Sequence, residues 1–337
     1  MSHDIEFKNG VYSFAFTGSR SAIWHGHGQQ MEDGASDDQW KVASGLDFKV
    51  LRSKVRYSVD RADANGAQVW DGQHVLFRSD DKRPLAIVSD SYKIVQPAEA
   101  FAFFQRAAKE VGLKVDTAGA LKQGRKFFAT AKFDAAQVLP GDLIDGSILF
   151  ATSCDGSMNT IVKNVAERVV CANTLAVAMG EQGRRTVKIS HRSVFDAERV
   201  VVQMGLAADG FAAFIKDAKE MSRYTMSPSA AYDLAAQIMG APVEITSAAD
   251  KAKAEKVIAS TGFNTIIRLF AGEGRGARLT GVKGTAWGLL NAVTQYYDHE
   301  VRATSDDNRR DASMFGTAAD AKQDAYAAIL ARVMAPA

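Results

Sequence analysis

"LKVDTAGALKQGRKFFATAKF", residues 113–133, decides how the middle of the chain folds. The residues on both sides of Lys122-Gln123-Gly124 are apolar runs short enough for strands. The stretch predicts a strand pair turning at these three residues. The next segment, "SILFATSCDGSMNTIVKNV" (147–165), repeats the pattern, with Asp155-Gly156 as a favoured two-residue turn. Strands joined this way form an antiparallel sheet. Just upstream, "PAEAFAFFQRAAKEVG" (97–112) has helical spacing, with Pro97 suited to a first turn and Gly112 to a C-cap. The core is expected to be a sheet with this helix packed on it.

Farther out, "LAIVSDSYKIV" (85–95) reads as two short strands around Asp90-Ser91. "RVVCANTLAVAMG" (168–180) reads as a strand running into a short helix, capped by Asn173 or Thr174. "RTVKISHR" (185–192) reads as a further strand. Residues 1–83 look irregular, with short strands at 48–51, 55–59 and 74–78 and a turn at Asn65-Gly66. After His191 the period becomes helical, over 194–222, 229–239, 249–271, 285–297 and 318–334. "TSDDNRRDAS" (304–313) is polar enough to read as a loop. The expected fold class is α+β: an antiparallel sheet with a packed helix in the N-terminal and middle part, and a mostly helical C-terminal part. The boundaries fall at 1–83, 84–192 and 193–337.

The 337 residues are 47% apolar and 24% charged, which suits a globular chain with a sizeable core. A net charge of +2 does not announce a nucleic-acid binder, although a local basic patch fits within a balanced total. No run is long and apolar enough to span a bilayer, and "MSHDIEFKNG" has no secretory pattern, so the expectation is a cytoplasmic protein with no membrane partner. Cys154 and Cys171 do not make a disulfide framework and are expected to be reduced.

Few stretches could carry chemistry. In "IWHGHG" His25 and His27 would share a face of an extended chain, but zinc needs a third ligand, so no metal site is assigned. "SCDGSMN" lacks the strand-to-helix turn of a nucleophile elbow and reads as a hairpin turn. "GRGARLTGVKGTAWG" (274–288) has the wrong order for a phosphate loop. Its glycines still leave a helix N-terminus near Thr285 that would suit an anion, with Arg275, Arg278 and Lys283 just before it. The competing account is a tight turn with solvated cations. At the other end of this helix, Asp298, His299 and Glu300 meet an unfavourable dipole, which marks them for inspection. In "GRRTVKISHRS", Arg184, Lys188 and Arg192 would line one face of a strand, and Arg125 and Lys126 could extend that stripe.

Three segments together, "WHGHG" (24–28), "DGSMNTIVKNVAERVVCANTLAVAM" (155–179) and "GTAWGLLNAVTQYYDH" (284–299), resemble phage/plasmid-like proteins of the domain of unknown function 932 family. The resemblance runs from about Ile23 to His299. It implies a setting among phage and plasmid accessory genes, hence DNA metabolism in a bacterial cytoplasm, and supplies no catalytic residues. The order of elements is also similar to the sheet-and-helix core of phage single-strand annealing proteins, a likeness of fold alone.

The leading expectation is a DNA-binding protein, most concretely one that holds single strands for annealing in recombination or replication. It would need no cofactor and would act as a homo-oligomer, because a long strand offers repeated sites. The rival is a hydrolase or nuclease near His25, His27 or His299. A third class is a protein-interaction factor without catalysis. The missing ligand set and nucleophile weigh against the enzyme.

Overall fold

A computed structural model describes residues 7–8, 10–18, 27–58, 67–110, 112–168, 173–177, 187–189 and 207–335. In chain order the strands are β1 (Phe7–Lys8), β2 (Val11–Tyr12), β3 (Phe14–Phe16), β4 (Gln29–Gln30), β5 (Val50–Tyr57), β6 (Gln68–Arg78), β7 (Pro84–Ser89), β8 (Val115–Leu121), β9 (Lys126–Leu139), β10 (Asp142–Ser153), β11 (Thr160–Arg168), β12 (Asn173–Val177) and β13 (Val187–Ile189). The helices are α1 (Asp37–Ala43), α2 (Pro97–Glu110), α3 (Ala207–Arg223), α4 (Pro228–Ile238), α5 (Ala248–Ile258), α6 (Thr261–Arg268), α7 (Ala286–Gln295), α8 (Asp306–Phe315) and α9 (Thr317–Met334).

The class is α+β, as the sequence implies. The main sheet runs β12-β11-β10-β9-β8-β3-β4, with β13 also paired to β11. Its long strands are all antiparallel. Alternation gives the sheet two faces. One carries Ala118, Ala120, Phe127, Ala129, Ile148, Phe150 and Val162, and α2 packs on it through Phe101, Phe104 and Ala108. Farther along this face, Ile144, Val138 and Ala166 meet the helical half through Phe211, Phe214 and Trp287. Gly146 permits that approach, since a Cβ there would lie 2.9 Å from Phe133 and Phe211. The opposite face carries Phe14, Phe16, Leu121, Phe128, Leu149 and Ile161, and receives Met314 and Phe315 of α8.

A second sheet, β5-β6-β7, stands apart in topology. Its root is pinned by Arg78, whose guanidinium reaches both oxygens of Asp80 (3.0 and 2.8 Å) and the carbonyl of Gln123 (3.2 Å) and lies 4.0 Å over the Phe48 ring. Gly124 (φ 84°) makes room, because a Cβ would sit 2.6 Å from that guanidinium.

Several elements differ from the sequence expectation. Residues 173–177 form a strand paired with β11, so Asn173 and Thr174 are ladder residues and not helix caps; pairing overrides the alanine-rich composition. "TSDDNRRDAS" enters a helix, started by the Ser305 side chain accepting from Asn308 N. Only 84–89 of the pair around Asp90-Ser91 is a strand. The hairpin at Asp155-Gly156 has a longer connection, since the strands end at Ser153 and resume at Thr160. There Asp155 accepts from the backbone and hydroxyl of Ser157, an Asx turn. The 249–271 helix is divided by a cap at Ser260. Short strands at 48–51 and 55–59 are one strand, 50–57, and 74–78 begins earlier, at 68. Asn65-Gly66, Cys171 and most of 185–206 lie outside the described residues.

Candidate nucleic-acid interface

Beyond the point where β7 ends, β5 and β6 continue as a two-stranded ribbon, Arg56 opposite Val69 and Tyr57 opposite Gln68. Arg52 and Lys54 stand opposite Leu76 and His74, where β6 still pairs with β7, and their alternate positions put them on one face; Arg56 follows past a register shift, on the ribbon itself. Each is exposed, and none makes an ion pair among the described residues. Alternate residues of a strand are about 7 Å apart. That spaces Arg52 and Lys54 at the scale of single nucleotides along an extended chain, with Arg56 beyond the irregularity. Tyr57 and Trp70 leave about half of their surface in water, at 50% and 52%. Exposed aromatics beside a cation row are what base stacking and phosphate tracking require.

The ribbon is free at its tip and fixed at its root. Leu76 is fully buried, and the Gln96 side chain bonds both the N–H and the C=O of Val50, each at 2.9 Å. The sequence offered one usable signal, the alternation Arg-x-Lys-x-Arg, but dividing β5 into two short strands hides it.

The other cations are differently placed. Lys126 pairs with Asp311 at 2.5 Å, Lys122 meets Asn308, and Lys163, nearly buried, donates to the carbonyl of Met314. Burial, with Lys322 nearby, pushes the Lys163 ammonium down to about 8. Arg125 is exposed at the end of the turn before β9. Lys188 sits in β13 opposite Ile161, while Arg184 and Arg192 lie outside the described residues. Arg275, Arg278 and Lys283 are all exposed on the loop before α7; Arg278 bonds the carbonyl of Gly272. The glycine loop Gly272–Leu279 walls an open cleft of about 510 Å³.

At the helix start near Thr285, where the sequence suggested an anion site, the amides of Ala286 and Gly288 are already engaged. Thr285 caps Gly288 N at 3.2 Å, and Ala286 N donates to Tyr224 O at 2.9 Å. Gly281 and Gly288 serve packing, since a Cβ would lie 2.9 Å from Leu139 and 2.2 Å from the Val282 carbonyl respectively, while Gly284 serves the turn with its φ of 69°. Asp298 is likewise structural. It accepts from Lys322 at 2.5 Å and from the Ser313 hydroxyl, within a π turn (Tyr296–Glu300).

Two features bear on an enzyme. His27 stacks on Tyr12, with ring centroids 4.4 Å apart, and His25 lies outside the described residues. Among the described residues no group of three His, Cys, Asp or Glu is placed to hold a metal. Asp145 and Glu167 stand directly opposite on β10 and β11. Burial, with Asp116, Asp145 and Asp298 adding repulsion, pushes the Glu167 carboxyl up to about 7. Lys132 approaches Asp145 at 2.7 Å, without a well-directed hydrogen bond. Sequence reasoning missed Glu167 because its neighbours come from other strands. Burial pushes the Cys154 thiol up to about 12, with Asp155 adding to the rise, which leaves it inert.

No helix among the described residues is long and apolar enough to cross a membrane. A family model described as a domain of unknown function (DUF932) matches residues 84–318. The match begins after "WHGHG" and after the ribbon, and includes α8. No curated protein and no solved structure matches the chain.

Proposed function

The chain belongs to the DUF932 family, and from that premise we propose that it is a DNA-binding protein that holds single strands in recombination or replication. The family name assigns no activity, so the proposal rests on the site. The observation that carries it is the set Arg52, Lys54 and Arg56 on β5, exposed and without ion pairs among the described residues, on a strand pair that also exposes Tyr57 and Trp70. Cations in a row track phosphates, and aromatic faces take bases without choosing among them. Arg275, Arg278 and Lys283 would extend the charged surface. The protein needs no cofactor for this task and works as a homo-oligomer of phage or plasmid origin in the bacterial cytoplasm.

A labelled oligothymidylate titrated at several salt concentrations tests the proposal. Arg52→Ala, Lys54→Ala and Arg56→Ala together remove three phosphate contacts. They flatten the slope of log affinity against log salt by about 2, at roughly 0.7 per contact. Trp70→Ala weakens binding while leaving that slope unchanged. Absence of binding by the wild-type chain at low salt, where attraction is strongest, ends the proposal.

A further inference from the structure

The lysines under α8 hold a feature that ribbon binding leaves unused. Lys122 and Lys126 lie at the edge of the sheet face that α8 covers, and Lys163 lies within it. The acceptors they meet there come from one helix. Asn308 supplies an amide oxygen to Lys122, Asp311 a carboxylate to Lys126, and Met314 its carbonyl to Lys163. The ring of Phe315 stands 5.9 Å from the Lys126 ammonium and 5.6 Å from that of Lys163. Beneath lie Phe14, Phe16 and Phe128. A carboxylate, neutral oxygens and an aromatic ring spaced over a row of lysines present the same chemistry as a short piece of single-stranded nucleic acid: anionic oxygens with a stacking ring.

The two ends of α8 are held differently. At its C-terminal end Ser313 is buried and joined to Asp298 and Lys322, a fully sequestered ion pair. The earlier part rests on partly exposed contacts, with Lys122, Lys126 and Asp311 retaining 26%, 14% and 20% of their side-chain surface. Ion pairs with this much access to water contribute little, and an isolated ten-residue helix is marginal. Release of the first two turns, with the Ser313 end still attached, therefore disturbs little of the core.

We infer that the edge of this sheet face, at Lys122 and Lys126, is a second binding site for single-stranded nucleic acid, covered in the free protein by the first two turns of α8, while Met314 and Phe315 stay over Lys163. The ligand class rests on the functional reading above, but the residues are separate from the ribbon. α8 acts as an internal competitor: a strand enters by displacing Asn308 and Asp311 from Lys122 and Lys126.

The test uses the full chain and an oligothymidylate. Asn308→Ala with Asp311→Asn removes the competitor's acceptors. Affinity rises by roughly tenfold, because the strand no longer has to displace the helix's acceptors. Adding Lys126→Ala and Lys122→Asn abolishes the gain and flattens the salt slope by about 1.4, at roughly 0.7 per lost phosphate contact; Asn suits the left-handed backbone at that position (φ 54°). A released variant that binds with wild-type affinity overturns the inference. An equal gain for an acidic peptide overturns the assignment to nucleic acid. Amide exchange of the wild-type chain gives a check that no substitution can confuse. Residues 307–312 exchange faster when oligothymidylate is added, and unchanged protection at saturation counts against a displaced helix. The two proposals fail separately. If the ribbon triple variant binds as wild type while the released variant gains, the ribbon is wrong; if the ribbon variant loses binding and the released variant gains nothing, the second site is wrong.

Discussion

Arg52, Lys54 and Arg56 on the ribbon, and Lys122, Lys126 and Lys163 on the main sheet, are two rows of three cations on strands or beside them, in opposite states. The first row faces water and has no ion pairs among the described residues. The second is met acceptor by acceptor by α8. Residue type does not distinguish them. What differs is what the tertiary structure sets opposite: among the described residues no element brings acceptors to the β5 cations, whereas β9 and β11 lie under a returning helix.

The comparison fails first at the ribbon's root. Arg78→Ala empties a buried position and removes the paired bonds to Asp80, the bond to the Gln123 carbonyl and the contact with Phe48, and should cost on the order of 3 kcal/mol in thermal or denaturant unfolding. A loss below 1 kcal/mol would mean that the ribbon is not fixed there. Next comes the anchor of α8. Lys322→Ala strands the Asp298 carboxylate in the interior and should cost about 3 kcal/mol while loosening α8, read as faster amide exchange over 307–315.

Glu167 sharpens the contrast between covered and open polar groups. Its folded carboxyl titrates at about 7 rather than 4.5. Between those values the folded chain binds the extra proton, so this group's contribution is intact below pH 4.5 and is lost as pH rises through 7. Glu167→Gln should therefore stabilise the protein above pH 7, on the order of 2 kcal/mol, and leave stability near pH 4 unchanged. A variant whose stability runs parallel to wild type across that window contradicts the assignment.

Lys126→Ala removes one partly exposed pair and should cost about 1 kcal/mol or less. The triple replacement of Arg52, Lys54 and Arg56 should alter stability least, within about 0.5 kcal/mol, although its effect on binding is the larger one. Loss of stability comparable to that of Lys322→Ala would show that the row supports the fold.

Much of the fold was legible because local signals agreed with the tertiary outcome. The turn at Lys122-Gln123-Gly124 between short apolar runs announced β8 and β9, and Pro97 and Gly112 bounded α2 closely. The errors have physical causes. "DDNRRDASMF" looks like a loop by composition, because its stabilising contacts are ionic and lie far away in sequence, on Lys122 and Lys126; Ser305 and Gly316 were its readable bounds. "NTLAV" looks helical until β11 is beside it. The ribbon row was legible only if residues 50–57 were read as one strand. The state of Lys126, and the proton held by Glu167, depend on partners more than twenty residues away, or on another strand, and no local pattern carries that information.

The carboxamide of Gln96 has a further consequence. β5 is the outer strand of its sheet, with one side of its backbone unpaired, which invites a strand from another molecule to add there. Gln96 occupies both polar groups of Val50, in the way a one-residue strand would, and so stops addition at the root. Past Val50 no side chain of the described residues plays that part, and mutual repulsion between the arginines and lysine of two copies takes over the guard. The charges proposed to attract a polyanion thus also oppose edge-to-edge pairing. Neutralising them, even without touching the fold, should turn this edge into the place where aggregation begins.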